Sequence, residues 1–118
     1  MKHPFLTGLG VDLVKVSRLR GLASRSPAFL KRVFTPAELA YSLKSGNKYE
    51  RLAARFAVKE AVIKALDNTG ISLKNIEVEN TLSGRPRVKV KGLPGAALLV
   101  SISHTSDYAV ASAIAFKK

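Results

Sequence analysis

The chain has 118 residues, of which 47% are hydrophobic, and its 20 Lys and Arg residues exceed its 8 Asp and Glu residues to give a formal net charge of +12. This length and composition exclude general disorder and leave no room for a second domain, so residues 1–118 are predicted to form one globular domain. The sequence contains no cysteine, which excludes disulfides and thiolate metal sites and fits a reducing compartment. The charge predicts a polyanionic partner: nucleic acid, a membrane surface, a phosphorylated substrate or an acidic protein.

The first residues, MKHPFLTGLGVDL, are broken by glycines and by Asp12 too early for a signal peptide. No apolar run approaches the roughly 20 residues of a membrane span. We therefore expect a soluble, cytoplasmic protein with no membrane-bound segment.

Residues Phe5–Val16 alternate in the manner of a β-strand. One predicted face carries Leu9, Val11 and Leu13, and the other carries Gly8, Gly10, Asp12, Val14 and Val16. Asp is a poor strand former, and an edge strand that turns Asp12 toward water is one explanation. The two glycines on the same face instead indicate that something bulky approaches it, which makes Asp12 a candidate site residue.

The segment Ser17–Arg32 is predicted to be helical in pieces, interrupted by Gly21 and Pro27. It contains no acidic residue and five basic ones, which are Arg18, Arg20, Arg25, Lys31 and Arg32. A run of charge is usually a solvated helix face. One without any acid more often marks a docking surface for an acidic partner.

The segment Thr35–Glu38 (TPAE) has the pattern of a capping box with proline at the first helical position. A helix is therefore predicted from here to near Gly46. A second helix is predicted to begin at Lys48 or Tyr49, because no Gly or Pro follows for many residues.

The stretch Arg51–Leu66 is predicted to be the central helix, since it is apolar around most of its circumference. One stripe is Leu52, Phe56, Ile63 and Leu66, interrupted by Lys59, and beside it lies a row of Ala53, Ala57, Glu60 and Lys64. Glu60 and Lys64 are either a solvated surface pair, as most such pairs are, or part of a buried face on which a carboxylate requires a cation. The turn formers Asp67–Gly70 end the helix.

The carboxyl-terminal half changes to the period of β-strands. Strands are predicted at Ile76–Asn80, Arg87–Lys91, Leu98–Ser103 and Tyr108–Phe116. Strands at both ends around a helical middle predict an α+β fold, in which helices pack on one face of an antiparallel sheet.

The segment Ser101–Thr105 (SISHT) brings three polar residues to the end of a strand. A lone histidine is most often structural, but this cluster beside exposed backbone N–H groups could hold phosphate oxygens. No nucleophile elbow, P-loop or dinucleotide fingerprint is present. Carboxylates without a His or Cys cluster suit Mg²⁺ or Mn²⁺. The sequence thus predicts a Mg²⁺–phosphate site, with Asp12 and Glu60 on the metal and Lys64 and His104 on the phosphate.

Four segments carry a more specific pattern. They are Gly10–Arg18 (GVDLVKVSR), Arg55–Leu66 (RFAVKEAVIKAL), Ser83–Pro86 (SGRP) and Ser101–Thr105 (SISHT). In this order they resemble the holo-acyl-carrier-protein synthases, small bacterial members of the 4′-phosphopantetheinyl transferase superfamily. The resemblance implies a Mg²⁺-dependent enzyme that transfers 4′-phosphopantetheine from coenzyme A to a serine of an acidic apo acyl carrier protein. The other product is 3′,5′-ADP, and the reaction supports fatty acid biosynthesis.

The resemblance also implies roles for individual residues. Asp12 and Glu60 would bind the metal, and with Lys64, near the pyrophosphate, they form the predicted catalytic set. The predicted contacts to coenzyme A are Arg55, Lys64, Pro86, Ser103, His104 and Thr105. Arg18, with Arg20 and Arg25, would meet the acidic helix of the carrier protein. Family members are typically homotrimers with active sites between subunits, which implies that Asp12 meets Glu60 across an interface.

The implied mechanism follows from charge. Mg²⁺ and Lys64 would neutralise the pyrophosphate and the leaving group, and Glu60 would remove the serine proton directly or through a metal-bound water. The segment Asp67–Gly70 (DNTG) departs from the family's usual Gly-Thr-Gly. The excess charge of Lys89, Lys91, Lys117 and Lys118 has no explanation in the resemblance.

Two other classes of protein compete with this interpretation. A basic nucleic-acid-binding domain would explain the charge, but it predicts aromatics interleaved with basic residues and leaves Asp12 and Glu60 unexplained. A non-catalytic relative would bind only coenzyme A or the carrier protein, yet every candidate catalytic position is filled. Nucleic acid is therefore disfavoured as the partner, and the enzyme is preferred.

Overall fold

The structure of this chain is a computed structural model that describes residues 5–117. In chain order its elements are β1 (Leu6–Lys15), α1 (Val16–Arg25), α2 (Pro27–Val33), α3 (Pro36–Leu43), α4 (Lys48–Leu66), a 3₁₀ turn (Leu73–Asn75), β2 (Ile76–Asn80), β3 (Pro86–Val90), β4 (Ala97–His104) and β5 (Tyr108–Phe116). No helix among the described residues is long and apolar enough to cross a bilayer. Lys118, one of the unexplained lysines, lies outside this range.

The strands form two antiparallel sheets. One is three-stranded in the order β1-β5-β4, and the other is the two-stranded hairpin β2–β3. The predicted α+β fold, with helices on one face of an antiparallel sheet, is confirmed. The separate hairpin was not foreseen, because strand periodicity in a sequence does not say which strands share a sheet.

Helix α4 packs closely on the three-stranded sheet because both surfaces are built from small residues. Ala53, Ala57 and Ala61 of α4 are fully buried, and they face the buried alanines of β5, which are Ala109, Ala111, Ala113 and Ala115. On β1, a Cβ added at Gly8 or Gly10 would lie 1.7 or 1.9 Å from a carbonyl oxygen of α4. The prediction that something bulky approaches this face of β1 is confirmed, and the approaching group is the α4 backbone.

The amino-terminal helices differ in detail from the prediction. Gly21 lies inside α1 and does not interrupt it, since one glycine costs a helix only about 1 kcal/mol. The break falls at Ser26–Pro27, where proline begins α2. Val16 begins α1 and does not end the strand, and its N–H donates to the Asp107 carbonyl at 2.8 Å.

The helices α3 and α4 have the predicted termini with one exception. The capping box is present, with the Thr35 hydroxyl accepting from the Glu38 N–H at 3.2 Å and a Glu38 carboxylate oxygen accepting from the Thr35 N–H at 2.9 Å. Helix α3 ends at Leu43, earlier than expected from Gly46. Helix α4 begins at Lys48 and ends where Asp67 adopts a left-handed conformation with φ of 51°.

Lys59 is not an interruption of an apolar stripe but the centre of a buried polar cluster. Its Nζ lies 2.7 Å from Oε1 of Glu38, and both side chains are fully buried. Lys59 also donates to the carbonyls of Leu73, at 2.9 Å, and Ile76. The other oxygen of Glu38 accepts from the Val78 N–H at 2.8 Å. The cluster joins α3, α4 and the start of β2.

Candidate active site

The first group of predicted site residues lies where β1 crosses α4. Asp12 lies on the same face of β1 as Gly10, and Glu60 and Lys64 are one turn apart on α4. The Nζ of Lys64 is 3.3 Å from Oδ1 of Asp12 and donates to the Val11 carbonyl at 2.8 Å. The Lys64 side chain is 54% exposed and the Asp12 side chain 19% exposed, so the pair is open to solvent on the lysine side.

Glu60 interacts electrostatically with Asp12 of the same chain. Partial burial raises the pKa of Glu60 above its ordinary value, and the negative charge of Asp12 raises it further, whereas Lys64 and Arg18 oppose the shift. The expectation that Asp12 meets Glu60 across a subunit interface is therefore corrected. The close packing of β1 on α4 brings the two carboxylates together within one chain.

The donor chemistry of this pair fits a hard divalent cation. Residues 5–117 contain no group of three or more His, Cys, Asp or Glu that could enclose a metal. Mg²⁺ does not need such a cage, because it is usually held by one or two carboxylates, waters and substrate phosphates. The negative charge of Asp12 that raises the pKa of Glu60 would also be offset by a bound cation. Asp12 and Glu60 thus match what this ion requires from a protein.

The second group of predicted residues lies in a cleft of about 540 Å³ between α3, α4, the hairpin and β4. Arg55, Pro86 and His104 all line it, as the coenzyme A prediction requires. The cleft is also lined by Tyr41, Arg51 and Arg85, which sequence reasoning missed. The signals were present, because Arg51 is one helical turn before Arg55 and Arg85 adjoins Pro86 in the SGRP motif.

Arg55 is held rigidly in this cleft. Its guanidinium carbon lies 4.3 Å from the centre of the Tyr41 ring, and that of Arg51 lies 4.7 Å from the same ring. Burial lowers the pKa of Arg55, and Tyr41 and Glu38 partly offset this effect, so the group stays cationic at neutral pH. Its Nε is buried without a hydrogen-bond partner among residues 5–117. A cationic guanidinium in the wall of a cleft favours an anionic ligand.

The SISHT segment divides between two sides of its strand. His104 lines the cleft, and its Nδ1 is 3.1 Å from Oε1 of Glu50. Ser103 is exposed and does not line the cleft, since neighbours in a strand point to opposite faces. Thr105 lies in the turn after β4, where its hydroxyl accepts from two backbone N–H groups at 3.2 and 3.1 Å. Of the three predicted phosphate contacts, the cleft therefore contains only His104.

The predicted docking residues Arg18, Arg20 and Arg25 are all exposed on α1. The guanidinium of Arg20 stacks on the Tyr49 ring at 5.3 Å. The charge of Arg18 acts on Glu60, so the basic surface of α1 adjoins the acidic pair. In contrast, Asp12, Glu60 and Lys64 do not line the cleft that contains Arg55.

The chain is similar in sequence to known proteins over most of its length. Residues 8–113 match the 4′-phosphopantetheinyl transferase superfamily. A holo-[acyl-carrier-protein] synthase of Thermodesulfovibrio yellowstonii is 48% identical over 108 residues, covering 90% of this chain and 95% of that protein. One from Bacillus subtilis is 39% identical over 113 residues, covering 91% of this chain and 93% of that protein.

Solved structures agree in fold over nearly the whole chain. A holo-(acyl-carrier-protein) synthase from Bacillus anthracis, in complex with CoA (3′,5′-ADP), gives a TM-score of 0.85 at 27% identity, covering 97% of this chain and 99% of that chain. The holo-[acyl-carrier-protein] synthase from Neisseria meningitidis gives 0.83 at 31% identity, covering 93% and 98%.

The chain therefore belongs to the 4′-phosphopantetheinyl transferase superfamily. Within it, the identities and the full-length coverage of the relatives confirm the prediction of a holo-[acyl-carrier-protein] synthase.

Proposed function

We propose that this enzyme transfers 4′-phosphopantetheine from coenzyme A to a serine of an apo acyl carrier protein, using Mg²⁺ held by Asp12 and Glu60, in the cytoplasm and in support of fatty acid biosynthesis. One observation carries the proposal. Asp12 lies close enough to Glu60 to raise its pKa, and Lys64 contacts Asp12 from the same helix face as Glu60. Two carboxylates beside a lysine suit a metal-bound pyrophosphate.

The cleft would hold the nucleotide part of coenzyme A. Arg55 and His104 would bind its phosphates, and Pro86 would contact the adenine. The guanidiniums of Arg51 and Arg55 around Tyr41, and Arg85 in the same lining, support this assignment. The relative from Bacillus anthracis was solved with CoA (3′,5′-ADP), which is the expected leaving group. Ser103 and Thr105 lie outside the cleft of one chain, so their contacts to coenzyme A would require a neighbouring chain.

The chain's own residues would carry the chemical step as follows. The serine oxygen of the carrier protein forms a bond to the β-phosphorus of coenzyme A, and the bond from that phosphorus to 3′,5′-ADP breaks. Glu60 takes the serine proton, a role that its raised pKa favours. The ammonium of Lys64 neutralises charge on the pyrophosphate and the leaving group. Bound Mg²⁺ would supply further neutralisation of the phosphate oxygens.

The carrier protein would dock on α1. Arg18, Arg20 and Arg25 are exposed there, and no acidic residue lies in the segment Ser17–Arg32 to neutralise them. Arg18 also adjoins the acidic pair, as its effect on Glu60 indicates. An acidic helix bound to this surface would therefore bring its serine to the metal site.

The sheet face away from α4 supports the proposed homotrimer. It carries exposed apolar side chains on all three strands, with exposures of 72% for Leu9, 58% for Val11, 63% for Leu13, 50% for Leu99 and 37% for Val110. A contiguous apolar patch of this kind marks a protein interface.

The homotrimer is tested by sedimentation equilibrium. We expect the wild-type chain to give three times the chain mass of 12.7 kDa, and we expect the Val11→Lys variant to give a lower mass. A monomeric wild-type chain that is fully active would contradict the trimer.

The reaction is tested by intact-protein mass spectrometry of an apo acyl carrier protein incubated with this chain, coenzyme A and Mg²⁺. We expect the carrier to gain the mass of one phosphopantetheine group. The gain should disappear with EDTA and with Asp12→Ala. A Glu79→Gln variant is the matched control, because this carboxylate pairs with Lys89 on the hairpin and lies away from the site. No gain with any of several carriers would leave a protein that only binds coenzyme A.

A further inference from the structure

The hairpin β2–β3 forms one wall of the cleft but has little backbone support. Asn80, Arg85 and Pro86 contribute to this wall. Among residues 5–117, the two strands pair only with each other, not with the three-stranded sheet. An isolated two-stranded hairpin is marginally stable in water, so its position against the helices must be fixed by other contacts.

The buried pair of Glu38 and Lys59 supplies such contacts. An ammonium group has three N–H donors, and those of Lys59 are matched by the Glu38 carboxylate and the carbonyls of Leu73 and Ile76. The second oxygen of Glu38 accepts from the Val78 N–H at 2.8 Å. Three of these bonds end on the backbone of β2 or of the turn that precedes it.

The same two side chains are anchored to the opposite wall of the cleft. Lys59 is one turn after Arg55 on α4, and Glu38 is three residues before Tyr41 on α3. Arg55 and Tyr41 both line the cleft, whereas neither Glu38 nor Lys59 does. The buried pair therefore links the hairpin to α3 and α4 behind the cleft lining, without contacting a ligand in the cleft.

We propose that Glu38 and Lys59 are positioning residues that set the width of the nucleotide cleft by fixing the hairpin to α3 and α4. The inference rests on the proposed role of the cleft. The proposed role predicts that the pair affects the binding of coenzyme A but not the docking of the carrier protein, because α1 takes no part in the buried cluster. Loosening the hairpin should thus weaken the binding of coenzyme A and leave the binding of the carrier protein unchanged.

Glu38→Gln is the variant that tests this role. A glutamine has one carbonyl oxygen, so it can accept from the Val78 N–H or from Lys59 but not from both, and in either orientation the link between the helices and the hairpin loses a bond. We expect the KM for coenzyme A and the Kd for 3′,5′-ADP to rise roughly tenfold, the usual size of coupling between a packed network and a separate site. The KM for the carrier protein should be unchanged.

Thr35→Ala is the matched control. It removes the hydroxyl that caps α3 but leaves the bonds from Glu38 to Lys59 and Val78, so it destabilises the same helix without freeing the hairpin. We expect it to bind 3′,5′-ADP as the wild type does. Equal weakening in both variants, or none in Glu38→Gln, would overturn the positioning role. A wild-type chain that fails to bind 3′,5′-ADP in titration calorimetry would instead reject the proposed cleft, and this inference with it.

Amide exchange in the wild-type chain tests the same link should Glu38→Gln fail to fold. Saturating 3′,5′-ADP should slow exchange of the Val78 amide more than that of Ala57, which lies in the core of α4. The reason is that coupling is reciprocal. If a fixed hairpin strengthens the binding of 3′,5′-ADP, then bound 3′,5′-ADP must stabilise the hairpin. Equal slowing at both amides would mean that the hairpin is not coupled to the cleft.

Discussion

Two lysines of helix α4 each pair with a carboxylate from another element, and one pair is buried whereas the other is exposed. Lys59 and Glu38 are 2.7 Å apart, and both side chains are fully buried. Lys64 and Asp12 are 3.3 Å apart, and the lysine is 54% exposed. The buried ammonium has a protein acceptor for each of its donors, so it has none left for a ligand. The exposed ammonium remains accessible. Burial therefore makes the first pair part of the architecture, whereas the second pair stays accessible to a substrate, as the proposed function requires.

The largest expected effect concerns the stability of the buried pair. Lys59→Met should lower the free energy of unfolding by about 3–5 kcal/mol, because it leaves the Glu38 carboxylate buried without its cation. The measurement is urea denaturation followed by circular dichroism. Lys64→Met, the same substitution five residues along the helix, is the control. A loss below about 1 kcal/mol for Lys59→Met would show that the cluster relaxes easily.

The next effect concerns turnover at the exposed pair. Glu60→Gln should reduce the rate of phosphopantetheine transfer by roughly a hundredfold or more, because it removes the proposed metal ligand and base. Its thermal unfolding should remain close to that of the wild type, since Glu60 is only partly buried. Near-normal turnover measured by intact mass would remove Glu60 from the mechanism.

The smallest effect is the one that distinguishes the two lysines most clearly. Lys64→Met should change the free energy of unfolding by less than about 1 kcal/mol, as exposed ion pairs contribute little, yet it should slow turnover. Urea denaturation and initial rates on the same preparation test both parts. If Lys64→Met destabilised the chain as much as Lys59→Met, exposure would not be the property that separates the pairs.

Much of the fold followed from local sequence signals. The capping box at Thr35–Glu38, the central helix and the strands Ile76–Asn80 and Tyr108–Phe116 all lie where they were predicted. Each is specified by propensity or periodicity over a few neighbouring residues. The glycine face of β1 likewise predicted the approach of a bulky group, which the structure identifies as the α4 backbone.

The buried pair could not be found in the same way. Glu38 was already explained by its cap, and Lys59 is 21 residues away in sequence, so only tertiary packing brings them together. A lysine within an apolar helical stripe was nevertheless a usable signal, since such a group needs a carboxylate partner. The position of Ser103 outside the cleft could also be predicted, because strand alternation places it on the face opposite to His104.

The excess basic charge is explained only in part. Lys89 is 2.9 Å from the Glu79 carboxylate and so belongs to an exposed pair on the hairpin, where cross-strand opposite charges favour strand pairing. Nothing in the structure explains Lys91 and Lys117.

The contact between the glycines of β1 and the carbonyls of α4 makes the acidic site sensitive to residues that have no side chain. Gly8 and Gly10 let the two backbones touch, so the spacing between the main chain that carries Asp12 and the helix that carries Glu60 is set by backbone contact. A methyl group at position 10 would act as a wedge beneath the helix and move Glu60 away from Asp12. Such a chain would keep Asp12, Glu60, Lys64 and its overall fold, and would still lose the geometry that the proposed chemistry requires.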